Sequence, residues 1–115
     1  MNLSPGGALI LAATPIGSSD DASASLRDAL TSADLIAAED TRRFLTLTKR
    51  LGIDPAGRVV SYFEGNEASR TGELVDAVAE GKRVVLVTDA GMPSVSDPGY
   101  RVVVACVEAG LRVTA

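Results

Sequence analysis

The chain has no histidine, no tryptophan and one cysteine, Cys106. A disulfide framework within it is therefore impossible, which fits a reducing compartment. A Cys/His zinc site lacks its ligands, and no metal is expected. Aromatic residues are scarce, with two Phe and two Tyr. The core must rest on Val, Leu, Ile and Ala, residues that suit a parallel sheet covered by helices. Long apolar runs are missing too. Ala8–Ala13 is too short to cross a bilayer and is followed by Pro15 and Gly17. No charged stretch leads an apolar core to a cleavage site, so the expected location is cytoplasmic, away from any membrane. The Gly-Lys-Ser/Thr of a phosphate loop and the Gly-x-Gly-x-x-Gly of a dinucleotide fold are absent.

What remains is an ordinary globular composition: 115 residues, 46% hydrophobic and 23% charged, enough for one domain with a modest core. The net charge of −4 argues against broad, nonspecific binding to nucleic acid. Basic residues concentrate in one stretch, where Asp54 alone opposes Arg42, Arg43, Lys49, Arg50 and Arg58. A solvated helix face is the plain reading of such a run.

Apolar segments alternate with helical ones. Strands are predicted at Ala8–Ala13, Asp34–Ala38, Val59–Phe63 and Arg83–Thr88, with a fifth beginning in Leu111–Ala115. Helices are predicted over Ala22–Ser32, from a cap at Asp40 or Thr41 to Leu51, from Ser69 or Arg70 to Glu80, and from Gly99 to about Ala109. Leu74, Val75 and Val78 should face inward in the third helix, and Cys106 should be a core thiol in the fourth. Strands and helices at this spacing mean βαβ units: an α/β domain with an open parallel five-stranded sheet flanked by helices. The chain stops on a β-branched strand, so the expectation is the first domain, residues 1–115, of a longer protein.

Three polar motifs follow strands, at the edge where open α/β sheets bind ligands. Thr14-Pro15-Ile16-Gly17 follows the first; its plain reading is a turn, and its functional reading is a backbone that a ligand can approach closely. Glu39-Asp40-Thr41-Arg42 follows the second. Helix capping explains Asp40 or Thr41 but accounts less well for Glu39 and Arg42. Asp89 to Gly99 follows the fourth. Asp97 is expected to cap the next helix with Pro98 in its first turn, which leaves Asp89-Ala90-Gly91 and the length of the loop unexplained.

These motifs together resemble the ribosomal RNA ribose methyltransferases of the tetrapyrrole methylase superfamily. The matching pieces are ATPIG at Ala13–Gly17, ADLIAAEDTR at Ala33–Arg42, Asn66-Glu67, and LVTDAGMPSVSDPG at Leu86–Gly99. Ser18-Ser19 stands where the family usually has Asn-Leu, and Gly65 where it often has His. The resemblance implies two α/β domains with S-adenosylmethionine between them, a first sheet of strand order 3-2-4-1-5, and dimers. It implies 2′-O-methylation of a cytidine in small-subunit ribosomal RNA, within the ribosomal particle. Carried onto this chain, it makes Asp89, Ala90, Gly91, Pro93 and Ser94 cofactor contacts, with Thr14, Pro15, Ile16 and Gly17 opposite. Glu39, Asp40 and Arg42 become candidates for substrate positioning or proton removal. Arg42, Arg43, Lys49 and Arg50 become candidates for RNA phosphates. Two alternatives stay open: a methylase of a tetrapyrrole or other small molecule, and a nucleotide-phosphate enzyme holding Mg²⁺ through Asp40 and Asp89.

Overall fold

The computed structural model describes residues 7–14, 24–88 and 97–115. The strands are β1 (Ala8–Ala13), β2 (Leu35–Ala38), β3 (Arg58–Ser61), β4 (Arg83–Thr88) and β5 (Val113–Thr114). The helices are α1 (Ala24–Ser32), α2 (Thr41–Leu51), α3 (Glu67–Ala79) and α4 (Gly99–Glu108). All strand pairings are parallel, in the order β3-β2-β4-β1-β5. This is the expected α/β class and strand order.

The topology decides which helix covers which face. From β1 the chain moves outward to β2 and then β3, and afterwards returns to β4 and on past β1 to β5. Right-handed crossovers put the helices of the outward and return journeys on opposite faces. The core divides accordingly. One layer joins Leu9, Leu11 and Leu86 to Leu74 of α3 and Val102 of α4; the other joins Ile10, Ile36 and Val85 to Leu30 of α1 and Phe44 of α2. Both faces are covered, which explains why β1, β2 and β4 read as unbroken apolar runs.

Leu74 and Val78 are buried and Val75 packs partly against the same layer. Cys106 is fully buried, and that burial pushes its thiol pKa up, as suits a packed core thiol. Tyr62 reaches the same layer and bonds Thr71 Oγ1 at 2.8 Å through its hydroxyl, so no buried polar atom there is left unsatisfied. Burial raises its pKa.

Some boundaries differ from expectation. β3 ends at Ser61 rather than Phe63, and α3 starts at Glu67 rather than Ser69 or Arg70. The cause is Asn66, whose side chain bonds back to Ser61 and Phe63 and turns the chain early. α4 is continuous from Gly99, but Pro98 already has helical angles (φ −54°, ψ −40°) and the Asp97 carbonyl accepts from Tyr100 N–H at 3.1 Å, so Pro98 stands in the first turn as expected. The first part of the predicted helix over Ala22–Ser32 lies outside the described residues.

Candidate functional site

The carboxyl ends of β1, β4 and β2 lie side by side, because Ala13 pairs with Thr88 and Ala37 with Leu86. Thr14 continues the contact: its N–H and its hydroxyl both donate to the Thr88 carbonyl, at 3.0 and 3.3 Å. From these tips the chain diverges. Helices after β1 and β2 cover one face, and the helix after β4 covers the other. Such a reversal is a topological switch point, where open α/β sheets leave a crevice.

A cleft of about 440 Å³ opens there. Among the described residues its floor is Thr14, Ala38, Val87 and Thr88, and its wall is Glu39, Asp40 and the α2 side chains Arg42, Arg43, Leu47 and Arg50. Local sequence places this wall. The Asp40 carboxylate accepts from Arg43 N–H at 3.0 Å, so it caps α2 as expected and starts the helix directly at the strand tip. Gly52, at φ 70°, ends the helix, with Gly52 N–H bonded to Lys49 O and Ile53 N–H to Thr48 O. Phe44, Thr48 and Leu51 are buried against the sheet. The helical period then turns Arg43, Leu47 and Arg50 toward the cleft.

Glu39, Asp40, Arg42 and Arg43 are solvent-exposed, and none of them forms an ion pair among the described residues. The wall thus offers carboxylates and guanidiniums beside the apolar surface of Val87 and Leu47. That combination can meet a ligand carrying both a cation and an anion. Of the expected basic residues, Arg42, Arg43 and Arg50 line the cleft; Lys49 sits in the last turn of α2, outside the lining, where a cation suits the helix dipole. Pro15, Ile16, Gly17, Asp89, Ala90, Gly91, Pro93 and Ser94 lie outside the described residues. Sequence reasoning missed Thr88, Thr46 and Leu47 in the lining. The signal for Leu47 was its spacing from Arg43 and Arg50 along a helix already predicted. No group of three or more acidic or cysteine side chains disposed to hold a metal occurs among the described residues, and no helix among them is long and apolar enough to cross a membrane.

A doubly covered parallel sheet with a switch-point cleft defines a class, and the comparisons say which one. The chain belongs to the tetrapyrrole (corrin/porphyrin) methylases, whose family model matches residues 8–115. Among particular relatives, it is 54% identical over 108 residues to ribosomal RNA small subunit methyltransferase I of Mycobacterium tuberculosis, covering 94% of this chain and 38% of that protein. It is 41% identical over 107 residues to the protein of the same name from Thermotoga maritima, covering 93% and 47%. The chain thus spans less than half the length of these curated relatives. The fold is also that of uroporphyrin-III-C-methyltransferase from Thermus thermophilus, with a TM-score of 0.67 at 18% identity over 94% of this chain and 46% of that one.

Proposed function

We propose that this chain is the first α/β domain of a two-domain enzyme that methylates the 2′-hydroxyl of a cytidine in small-subunit ribosomal RNA, using S-adenosylmethionine. The observation that carries the reading is the cleft at the β1–β4 switch point, walled by a basic helix, in a chain 54% identical to a small-subunit ribosomal RNA methyltransferase. The described lining suits the cofactor chemically: Thr14 and Thr88 offer hydroxyls, Val87 and Leu47 offer apolar surface, and Glu39 and Asp40 offer negative charge toward a cation. When bound, that cofactor supplies a methyl group already activated on a sulfonium.

The protein's task is then alignment and proton removal. Thr14, Pro15, Ile16 and Gly17 hold one side of the cofactor, and Asp89, Ala90, Gly91, Pro93 and Ser94 the other. Glu39 and Asp40 orient the ribose hydroxyl, and Glu39, which makes no cap, is the candidate to take its proton. Arg42, Arg43 and Arg50 meet RNA phosphates at the cleft mouth, with Lys49 further along α2. The working form is a cytoplasmic homodimer, as the family resemblance implies, and it acts on the ribosomal particle, because the chain's net acidity disfavours binding to RNA through bulk charge.

An amide chemical-shift titration of the full-length protein with S-adenosylhomocysteine, beside one with ATP and Mg²⁺, tests the reading. Shifts at Thr14 and Thr88 with S-adenosylhomocysteine are expected. A response confined to ATP and Mg²⁺ would overturn it.

A further inference from the structure

β3 is an outer strand, so one side of its backbone has no neighbouring strand. Arg58 and Tyr62 donate their N–H groups inward, to Asp34 O and Ala38 O of the β2 side. By alternation, Ser61 and Phe63 present theirs outward. An outward row of this kind invites a strand from another chain.

At the carboxyl end that invitation is already answered. Asn66 Oδ1 accepts from Phe63 N–H at 2.8 Å, and Asn66 Nδ2 donates to Ser61 O at 3.2 Å. In a parallel ladder, an incoming residue makes this same pair of bonds: it donates to one carbonyl and accepts from the amide two residues further on. One side-chain amide therefore stands where a residue of a sixth strand would stand. Neighbours hold it there. Asn66 Nδ2 also lies 3.1 Å from Ser61 Oγ, and Arg70 Nε donates to Ser61 O at 3.0 Å while its guanidinium pairs with Glu73. Glu73 in turn pairs with Arg58 at the other end of β3. Gly65 leaves room for the turn, because a Cβ there would lie 2.5 Å from the Phe63 ring.

We propose that the Asn66 amide is a surrogate strand residue that closes the sheet at its ligand end and prevents a second copy of this chain from adding to β3. This accounts for Asn66 in the Asn66-Glu67 motif, which the methyl-transfer reading leaves without a role, and it is independent of that reading.

Amide hydrogen exchange and sedimentation velocity on the full chain test it. In the wild type, Phe63 N–H should be protected relative to Glu64. Asn66→Ala should speed its exchange by roughly tenfold or more, the scale of one lost hydrogen bond, while Tyr62 N–H, bonded inward, keeps its rate. Asn66→Ala should also gain concentration-dependent self-association. Asn66→Asp, which retains the acceptor, should keep Phe63 protected. Three results would overturn the proposal: a wild-type Phe63 as fast as Glu64, an unprotected Phe63 in Asn66→Asp, or an Asn66→Ala protein with an open edge that associates no more than the wild type. If Asn66→Ala does not fold, the wild-type and Asn66→Asp rates decide.

Discussion

At the amino ends of the strands, charged side chains are tied to one another or to the backbone. Arg58 pairs with Glu73, Lys82 with Glu80 at 3.5 Å, and the Asp34 carboxylate accepts from Arg83 N–H at 2.9 Å. At the carboxyl ends, Arg101 pairs with Glu67 at 3.9 Å outside the cleft lining, whereas Glu39, Arg42 and Arg43 stand exposed around the cleft, in no ion pair among the described residues, and Asp40 caps α2. Both ends face water, so solvation alone does not explain the contrast. Pairing at one end holds helices to strands. Unpaired carboxylates and guanidiniums around the cleft are what a ligand site needs, because a site whose charges are already neutralised has little left to offer.

Damage confined to the amino end should leave the cleft untouched. A Cβ on Gly57 would lie 2.5 Å from the Ala33 carbonyl oxygen and 2.6 Å from that of Asp34, both backbone atoms that cannot swing aside. Gly57→Ala should therefore cost about 1–3 kcal/mol of stability, read by denaturant unfolding, while S-adenosylhomocysteine affinity of the folded protein stays unchanged. The reciprocal change is Arg42→Glu with Arg43→Glu. Stability should hold, RNA affinity should fall roughly tenfold near physiological salt, and the salt slope should drop by about two. An unchanged slope would make α2 an ordinary solvated face.

The smallest effect is a pH signature of the Glu73 pairing, which spans β3 from Arg58 to the Arg70 side. Hydrogen bonding from Arg70, with the charges of Arg70 and Arg58, lowers the pKa of Glu73. A lowered folded value means that the stabilisation is fully present above the ordinary glutamate pKa and is lost as pH falls through the folded value. Its size should stay below about 1 kcal/mol, because the Glu73 side chain is 37% exposed and water screens the pair. Glu73→Gln should flatten that part of the stability–pH curve; an unaltered curve would show that the pairing is only geometric.

Much of this was legible in the chain itself. β1 and β4 were expected at the residues where they occur, since a strand buried on both faces writes an unbroken apolar run with sharp polar ends. The α2 boundaries were equally plain, because Asp40 and Gly52 are local capping signals. The end of β3 was not. Val59–Phe63 has strand composition throughout, and the event that stops it is a side-chain bond from Asn66, which sequence periodicity does not register. The start of α4 was legible, because a proline with its fixed φ belongs in a first helical turn, and Pro98 has helical angles. In the candidate site, charge and strand-end position pointed to Glu39, Asp40 and Arg42. Thr88 does not stand out, although the implied strand order already sets β4 beside β1, because in sequence it reads as the last residue of a buried strand rather than as the start of a polar motif.

That pairing has a dynamic consequence. The Thr88 carbonyl receives both donors of Thr14, so the chain leaving β1 and the chain leaving β4 set out from one shared anchor. Neither can peel away from the sheet without breaking the same bonds. Fraying of β1 at Thr14 and fraying of β4 at Thr88 thereby break the same two bonds, and the two strand tips should show a common rate.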